Sequence, residues 1–324
     1  MRITIPRLGA GLISILAVAV VLVVLPVVGA PQQWLMYIFV FAIYLAIANM
    51  WNLHCGYSGL ITLCMPAFIG LGGYTLIMGS WFGLPIPLGI IAGAIVAALF
   101  ALLISFPVFR LRGIYFAIGT LVVPEALKYV FLLWRPVLGH ALAGGGAGYA
   151  LKGAAEFSLA EVYWFALVVG IGSILIMRFI LRSRLGLGLA AIRDNDDTAA
   201  SSGIDVFRLK LYSFVIGAFV TGMAGAIWYI RQAHIEPLSA FNISWTMIAI
   251  ISAVIGGLRT EVGPIIGTVV SVVLLFMLAR YGAISLLLQG AILVVIMLLI
   301  PQGIMGFIRG TRAYRSLLQL ATRR

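Results

Sequence analysis

Apolar residues in this chain come in long runs, not in alternation. Ten stretches are dominated by Leu, Ile, Val, Ala, Phe and Gly, at about 11–28, 34–54, 59–79, 85–107, 113–133, 161–181, 209–230, 242–258, 263–280 and 283–300. Each is near the ~20 residues that cross a bilayer as a helix. Backbone in lipid must satisfy its own hydrogen bonds, which makes helix the default for such runs. The pattern predicts an all-α integral membrane protein: a polytopic helical bundle of about ten spans, with residues 1–324 as a single transmembrane domain. Pro66, Gly70, Gly72, Gly73 and Pro264 mark places where spans are expected to be short, broken or re-entrant, above all the third, eighth and ninth.

Composition reinforces this reading. The chain is 63% hydrophobic and 9% charged, against roughly 25% charged in soluble domains. Its mean hydropathy is +1.18. Sixteen of the 21 Lys and Arg residues, among them Arg2, Arg7, Arg110, Arg112, Arg193, Arg208 and Lys210, fall on one set of connections. By the positive-inside rule that set is cytoplasmic, with both termini on the same side. The net charge of +12 is therefore a matter of topology, not a nucleic-acid footprint. The basic tail, about 301–324, is suited to lie against anionic lipid. An alternative for the first stretch is a cleaved signal peptide, because Arg2 and Arg7 precede an apolar core ending in "VVGAP". Pro31 directly after Ala30 argues against cleavage there.

Enzymatic motifs are missing. There is no glycine-lysine phosphate loop, no H-E-x-x-H zinc site and no G-x-S-x-G elbow. His54, His140 and His234 lie far apart near span ends and are expected to be interfacial. Cys55 and Cys64 are expected to be packing residues. No catalytic residue, metal site or cofactor is expected on this chain, so any ATP hydrolysis belongs to another polypeptide. Glu125 and Lys128 stand three apart on one helical face. Two readings stay open: a pair snorkelling towards water, or a buried site for a coupling ion.

One connection, about 182–208, holds a polar island, "RDNDDTAASSG" (193–203). Asp194, Asp196 and Asp197 are three of only nine acids in 324 residues. Asp194 or Asn195 can cap a helix N-terminus, where acids also meet the positive end of the helix dipole. Thr198, Ala199 and Ala200 suit helix, and Gly203 is a natural left-handed stop. A helix of about two turns is marginal alone in water and needs something to hold it. It is either a solvated connector or a docking helix with a small-residue face.

At this island the chain resembles the membrane subunit of ATP-binding-cassette importers, specifically the branched-chain amino acid permease family and its LivM type. Ala191, Ile192, Arg193, Asp194, Asn195, Asp196, Ala199, Gly203 and Ile204 match its pattern. "NLHCGYSGLITL" with "AFIGLGGYT", "RGIYFAIGTL" with Glu125 and Lys128, "IEPLSAF", and "IGGLRTEVGPIIGT" resemble further blocks in the same order, from about residue 49 to 270. The resemblance implies that Arg193, Asp194, Asn195, Asp196, Ala199, Ala200 and Gly203 form a coupling helix that inserts into a cytoplasmic ATPase. It implies a bacterial inner-membrane importer of five parts: this chain, a second homologous permease, two ATPase subunits that hydrolyse ATP with Mg, and a periplasmic solute-binding protein. The cargo would be leucine, isoleucine and valine. Urea, short amides or another small neutral solute are alternatives within the family, and a proton-coupled carrier using Glu125 is a rival from outside it. Tyr57, Thr62, Met65, Phe68, Tyr74, Tyr115, Thr120 and Glu125 are the residues expected along the translocation path.

The chain departs from the family pattern at Cys64–Met65–Pro66, where a polar His or Gln is lost and a helix-breaking proline gained. Pro124 replaces a small residue, and Arg259 stands where glycine is common. Gly59, Leu60, Thr62 and Pro66 recur at the same spacing as Gly257, Leu258, Thr260 and Pro264, a hint of an internal repeat.

Overall fold

A computed structural model describes residues 17–135, 144–153, 157–278, 281, 284–299 and 303–310. Residues 1–16, with Arg2 and Arg7, most of the basic tail and His140 lie outside the described residues. Helix is found at each of the ten expected places. The helices are α1 (described over 17–24), α2 (Gln32–Asn52), α3 (Met65–Trp81), α4 (Ile86–Val108), α5 (Ile114–Leu133), α6 (Leu159–Arg182), α7 (Arg184–Asp194), α8 (Asp196–Ser201), α9 (Val206–Gln232), α10 (Pro237–Ala240), α11 (Ser244–Gly256), α12 (Gly263–Leu278), α13 (Ile284–Leu299) and α14 (Gly303–Gly310). A π turn, Leu53–Tyr57, continues α2.

Among the described residues, six segments are long and apolar enough to cross a bilayer: Gln32–Tyr57, Ile86–Val108, Ile114–Leu133, Leu159–Arg182, Val206–Gln232 and Pro237–Gly256. The chain is thus an all-α, multi-pass membrane protein. α3, with 17 residues, and α12 and α13, with 16 each, are shorter. At ~1.5 Å per residue they fall short of a ~30 Å hydrocarbon core.

Two deeply buried helices organise the bundle. α9 packs between α3 and α4, and α2 packs against α6, α9 and α11. Small residues permit the closest approaches. A Cβ on Gly72 of α3 would lie 2.0 Å from the Gly222 carbonyl oxygen of α9, and one on Gly222 would lie 2.5 Å from Ala97 Cβ of α4. In lipid, where burial of apolar groups drives helix association weakly, such contacts carry the packing. α5 is the loosest of these spans, with few of its residues buried. It turns Phe116, Thr120 and Pro124, spaced by four, into the bundle.

The helix ends form two distinct faces. One, the basic face, gathers Arg112, Arg178, Arg193, Arg208, Lys210 and Arg259 around the α4–α5 turn, α7, α8 and the 257–262 loop. At the far face a two-residue strand, β1 (Tyr149–Ala150), pairs antiparallel with β2 (His234–Ile235). Trp81 closes this end by donating its indole N–H to the Ala150 carbonyl at 2.9 Å.

Several expectations need correction. The third segment does not start as helix at 59; residues 58–64 are unwound and α3 begins at Met65. Pro66 therefore does not break a helix but occupies its second position, where a missing N–H costs nothing. His54 sits at a span end as expected, but it is not open to the surroundings. It is fully buried, and its ring Nε2 lies 3.1 Å from the Ser213 carbonyl. The 182–208 connection is also more helical than expected, because α7 fills most of its first half.

Candidate coupling surface and translocation path

The polar island folds as a helix with a defined start and stop. Asn195, not Asp194, is the N-cap; its Oδ1 accepts the Thr198 N–H at 2.9 Å. Asp196 and Asp197 fill the first turn, where the helix dipole favours them. Gly203 ends the turn at φ +83°, a region that L side chains avoid. Six residues cannot stand alone as helix, and here α8 is braced by its own chain. Ala199 is buried inward, and the Asp196 carboxylate accepts from the Lys210 ammonium of α9. Arg112 of the α4–α5 turn reaches Asp197 at 3.8 Å, an exposed pair of little energetic weight. Arg193, at the end of α7, donates twice to Asp194, from Nε at 2.9 Å and from a terminal nitrogen at 2.6 Å. Ala200, Ser201, Ser202 and Gly203 stay exposed. The small-residue face is therefore narrower than expected, since Ala199 belongs to this chain's own packing.

A cleft of about 490 Å³ opens between α8, the α4–α5 turn and the 58–61 segment, lined among others by Gly59, Arg112, Arg193, Asp196, Ala200 and Lys210. Gly59, at φ +71°, packs directly on the island: a Cβ there would lie 3.5 Å from Arg193 Cα. The polar island and the unwound segment thus share a wall.

That segment, 58–64, is exposed at Gly59 and Ile61 and buried at Ser58, Leu60, Thr62 and Cys64, so its buried free backbone groups need protein partners. The Leu60 N–H donates to the His54 carbonyl at 2.8 Å. The Thr62 carbonyl accepts from the Trp51 indole at 2.9 Å. The Leu63 N–H donates to the Thr120 hydroxyl at 3.0 Å, and the Leu63 carbonyl accepts from Thr246 Oγ1 at 3.2 Å. Three helices, α2, α5 and α11, therefore clasp one short strand of backbone. Its echo, 257–262, is held the same way. The Arg259 N–H donates to Asn52 Oδ1 at 3.1 Å, while Asn52 Nδ2 donates to the Thr260 carbonyl at 3.2 Å. Each stretch has a positive-φ glycine at or next to its start, Gly59 or Gly257. Both end with proline at the second position of a helix, Pro66 in α3 or Pro264 in α12. The sequence repeat is thus also a structural one.

The expected path residues divide into three places. Thr62, Met65, Phe68 and Thr120 come together, fully buried, around the start of α3. Thr62 Oγ1 lies 3.1 Å from Cys64 Sγ, the Thr221 hydroxyl approaches Met65 Sδ at 3.8 Å, and Phe68 packs edge-on against Phe214. Tyr57 sits half-buried at the end of the π turn. Tyr74 lies towards the far face, among Phe131, Trp134, Tyr149 and Phe241. Tyr115 is 70% exposed on the free side of α5. Glu125 pairs with Lys128 as the spacing predicts. Sequence reasoning missed Trp51, Asn52 and Thr246. Their signal was present for Asn52, one of two amides in an otherwise apolar span, since a polar group in lipid is expensive unless it has a task.

Comparison with known proteins places this architecture. Residues 33–301 match the family model described as the permease component of branched-chain amino acid transport systems. The high-affinity branched-chain amino acid transport permease LivM of Escherichia coli K12 is 27% identical over 298 residues, covering 82% of this chain and 68% of the relative. A probable LivM of Methanocaldococcus jannaschii is 24% identical over 61% of this chain and 56% of its own length. The L-arabinose permease AraH of E. coli is 27% identical over 36% and 37%, respectively. No solved structure matches.

Proposed function

Because this chain belongs to the branched-chain amino acid transport permease family, we propose that it is the LivM-type membrane subunit of an ATP-binding-cassette importer in a bacterial inner membrane. Leucine, isoleucine and valine are its cargo. It pairs with a second homologous permease, two ATPase subunits that bind and hydrolyse ATP with Mg, and a solute-binding protein that docks at the far face. The basic face is cytoplasmic.

The observation that carries this reading is the wall shared by the polar island and the first unwound segment, where Gly59 packs on Arg193 at the end of α7. In this scheme α8 seats in the ATPase through its exposed side. Closure of the ATPases displaces α8, and Arg193 passes the movement to Gly59. The 58–64 segment then shifts against its clasps at Thr120 and Thr246, opening the core around Thr62 and Met65 from one side and closing it from the other. Apolar groups such as Met65 and Phe68 suit branched side chains, and the hydroxyls and freed backbone groups suit the polar ends of an amino acid. Glu125 is held by Lys128 on the least buried span, so ion coupling has the weaker support.

The test is uptake of labelled leucine in cells carrying the wild-type chain, no chain, or Gly203→Pro. The Gly203 N–H donates to the Ala200 carbonyl at 2.9 Å, and proline at φ +83° is excluded, so the variant spoils the end of α8 while the spans still insert. Leucine uptake is expected to vanish in both, with isoleucine and valine competing in the wild type. Labelled urea and L-arabinose run in parallel. Unchanged leucine uptake without the chain, or loss of arabinose or urea uptake instead, overturns the cargo. Uptake that survives Gly203→Pro overturns the coupling role.

A further inference from the structure

At the far face, α2, α9 and α11 leave a recess of about 480 Å³ that includes none of the residues assigned above to the path or the coupling surface. Three large rings line it: Tyr44, Trp228 and Trp245. Trp228 and Trp245 meet at 5.1 Å and 88°, and Tyr44 and Trp245 at 6.3 Å and 86°, so the lining is a right-angled aromatic corner. Trp245 is fixed in place because its indole N–H donates to the Ser239 carbonyl at 3.2 Å.

Glu236 stands in the same lining. The other acids among the described residues are all engaged. Glu125, Asp194, Asp196, Asp197, Asp205 and Glu261 each have a basic partner, and Glu161 closes the capping box of α6. Among the described residues Glu236 has no ion pair, and its carboxylate accepts no hydrogen bond. It even occupies the N-cap position of α10 without making a capping bond. Aromatic residues at a membrane interface are ordinary anchors, but anchoring does not account for an unpaired carboxylate beside them. Ring quadrupoles attract a cation that carries apolar surface, and the carboxylate supplies its counter-charge. Gln232, also in the lining, adds an amide oxygen able to accept from an N–H.

We propose that this recess binds a primary ammonium group, presented either by an aminophospholipid headgroup at the bilayer surface or by a free amine in the water. The site is separate from the transport path, and its occupancy does not depend on what the path carries.

The test uses the assembled transporter in detergent and follows its thermal unfolding midpoint. Ethanolamine is titrated against ethylene glycol, and short-chain phosphatidylethanolamine against phosphatidylglycerol of the same chain length. A saturable rise with an ammonium probe, absent with its neutral or anionic control, is expected. Glu236→Gln is expected to raise the half-saturating concentration at least about tenfold, the scale of one hydrogen bond to a charged group. Glu236→Lys, which places an ammonium in the recess, is expected to abolish the response. Both substitutions fall on an exposed side chain, so folding is preserved and checked by the unliganded midpoint. A response to the lipid alone assigns the site to headgroups; a response to ethanolamine alone assigns it to soluble amines. No response to either probe, or an undiminished response in Glu236→Gln, overturns the proposal.

Discussion

Arg259 and Ala233 are the two residues other than glycine that the described backbone holds at positive φ, at 64° and 56°. Side chains there crowd the following carbonyl, at a cost of about 1–2 kcal/mol. Arg259 stands where the resembling family commonly has glycine, and the structure gives the reason: its N–H must reach Asn52 Oδ1 from a left-handed turn. Ala233 ends α9, and its carbonyl accepts the Leu151 N–H at 2.9 Å. Ala233→Gly is expected to stabilise the protein by about 0.5–1 kcal/mol, after the larger loss of chain entropy that glycine brings, seen as a higher unfolding midpoint in detergent. Thr120 offers a sharper test. Thr120→Val keeps shape but strands the Leu63 N–H, a loss of about 1–3 kcal/mol, and should lower both stability and leucine uptake. Thr120→Ser should restore both. Neither Trp51 nor Thr246 was recognisable beforehand, because nothing local marks a side chain whose partner lies across the bundle.

At the scale of elements, α8 and the glycine-packed helices behave differently. The short helix was visible in its residues: cap, acids, alanines and a terminal glycine stand in order. Asn195→Ala removes the cap bond and should cost about 1 kcal/mol, enough to fray six residues. Uptake should fall while the amount of inserted chain stays constant, and Asn195→Asp should recover it. Had α8 no part in coupling, Asn195→Ala would transport like the wild type. The α3–α4–α9 contact was less visible. Gly72 reads only as a risk to helix and nothing in the sequence marks Gly222, whereas the fold uses both to bring backbones together. Gly222→Val would drive a side chain into Ala97 and the Gly93 carbonyl, and is expected to leave the chain inserted but poorly folded, with rapid degradation measured by pulse-chase. The third segment was misjudged for a related reason: hydropathy registers that 59–64 is apolar, not that its hydrogen bonds are met by three other helices.

For the whole molecule, the unequal burial of the spans is the main clue to assembly. α2 and α9 are enclosed, while α5 turns Ile114, Tyr115, Ile118, Val122 and Tyr129 outward. In the proposed importer this side of α5 meets the second permease. Ile118→Cys should then react with a membrane-permeant maleimide when this chain is expressed alone and be protected in the full complex. Equal labelling in both would place α5 against lipid.

Multi-pass membrane character, helical class and family were set by the sequence alone, because they depend on long apolar runs and on short patterns of neighbouring residues. The start and stop of α8 were set there too, since capping and left-handed turns are local chemistry. Only the tertiary structure decided that His54 is buried, that Pro66 sits in the first turn of a helix, and that Arg193, just ahead of α8, rests on the unwound segment. It alone brought Tyr44, Trp228, Trp245 and Glu236 into one recess. These facts rest on pairs of residues far apart in the chain, whose meeting depends on which helices pack together and at what depth.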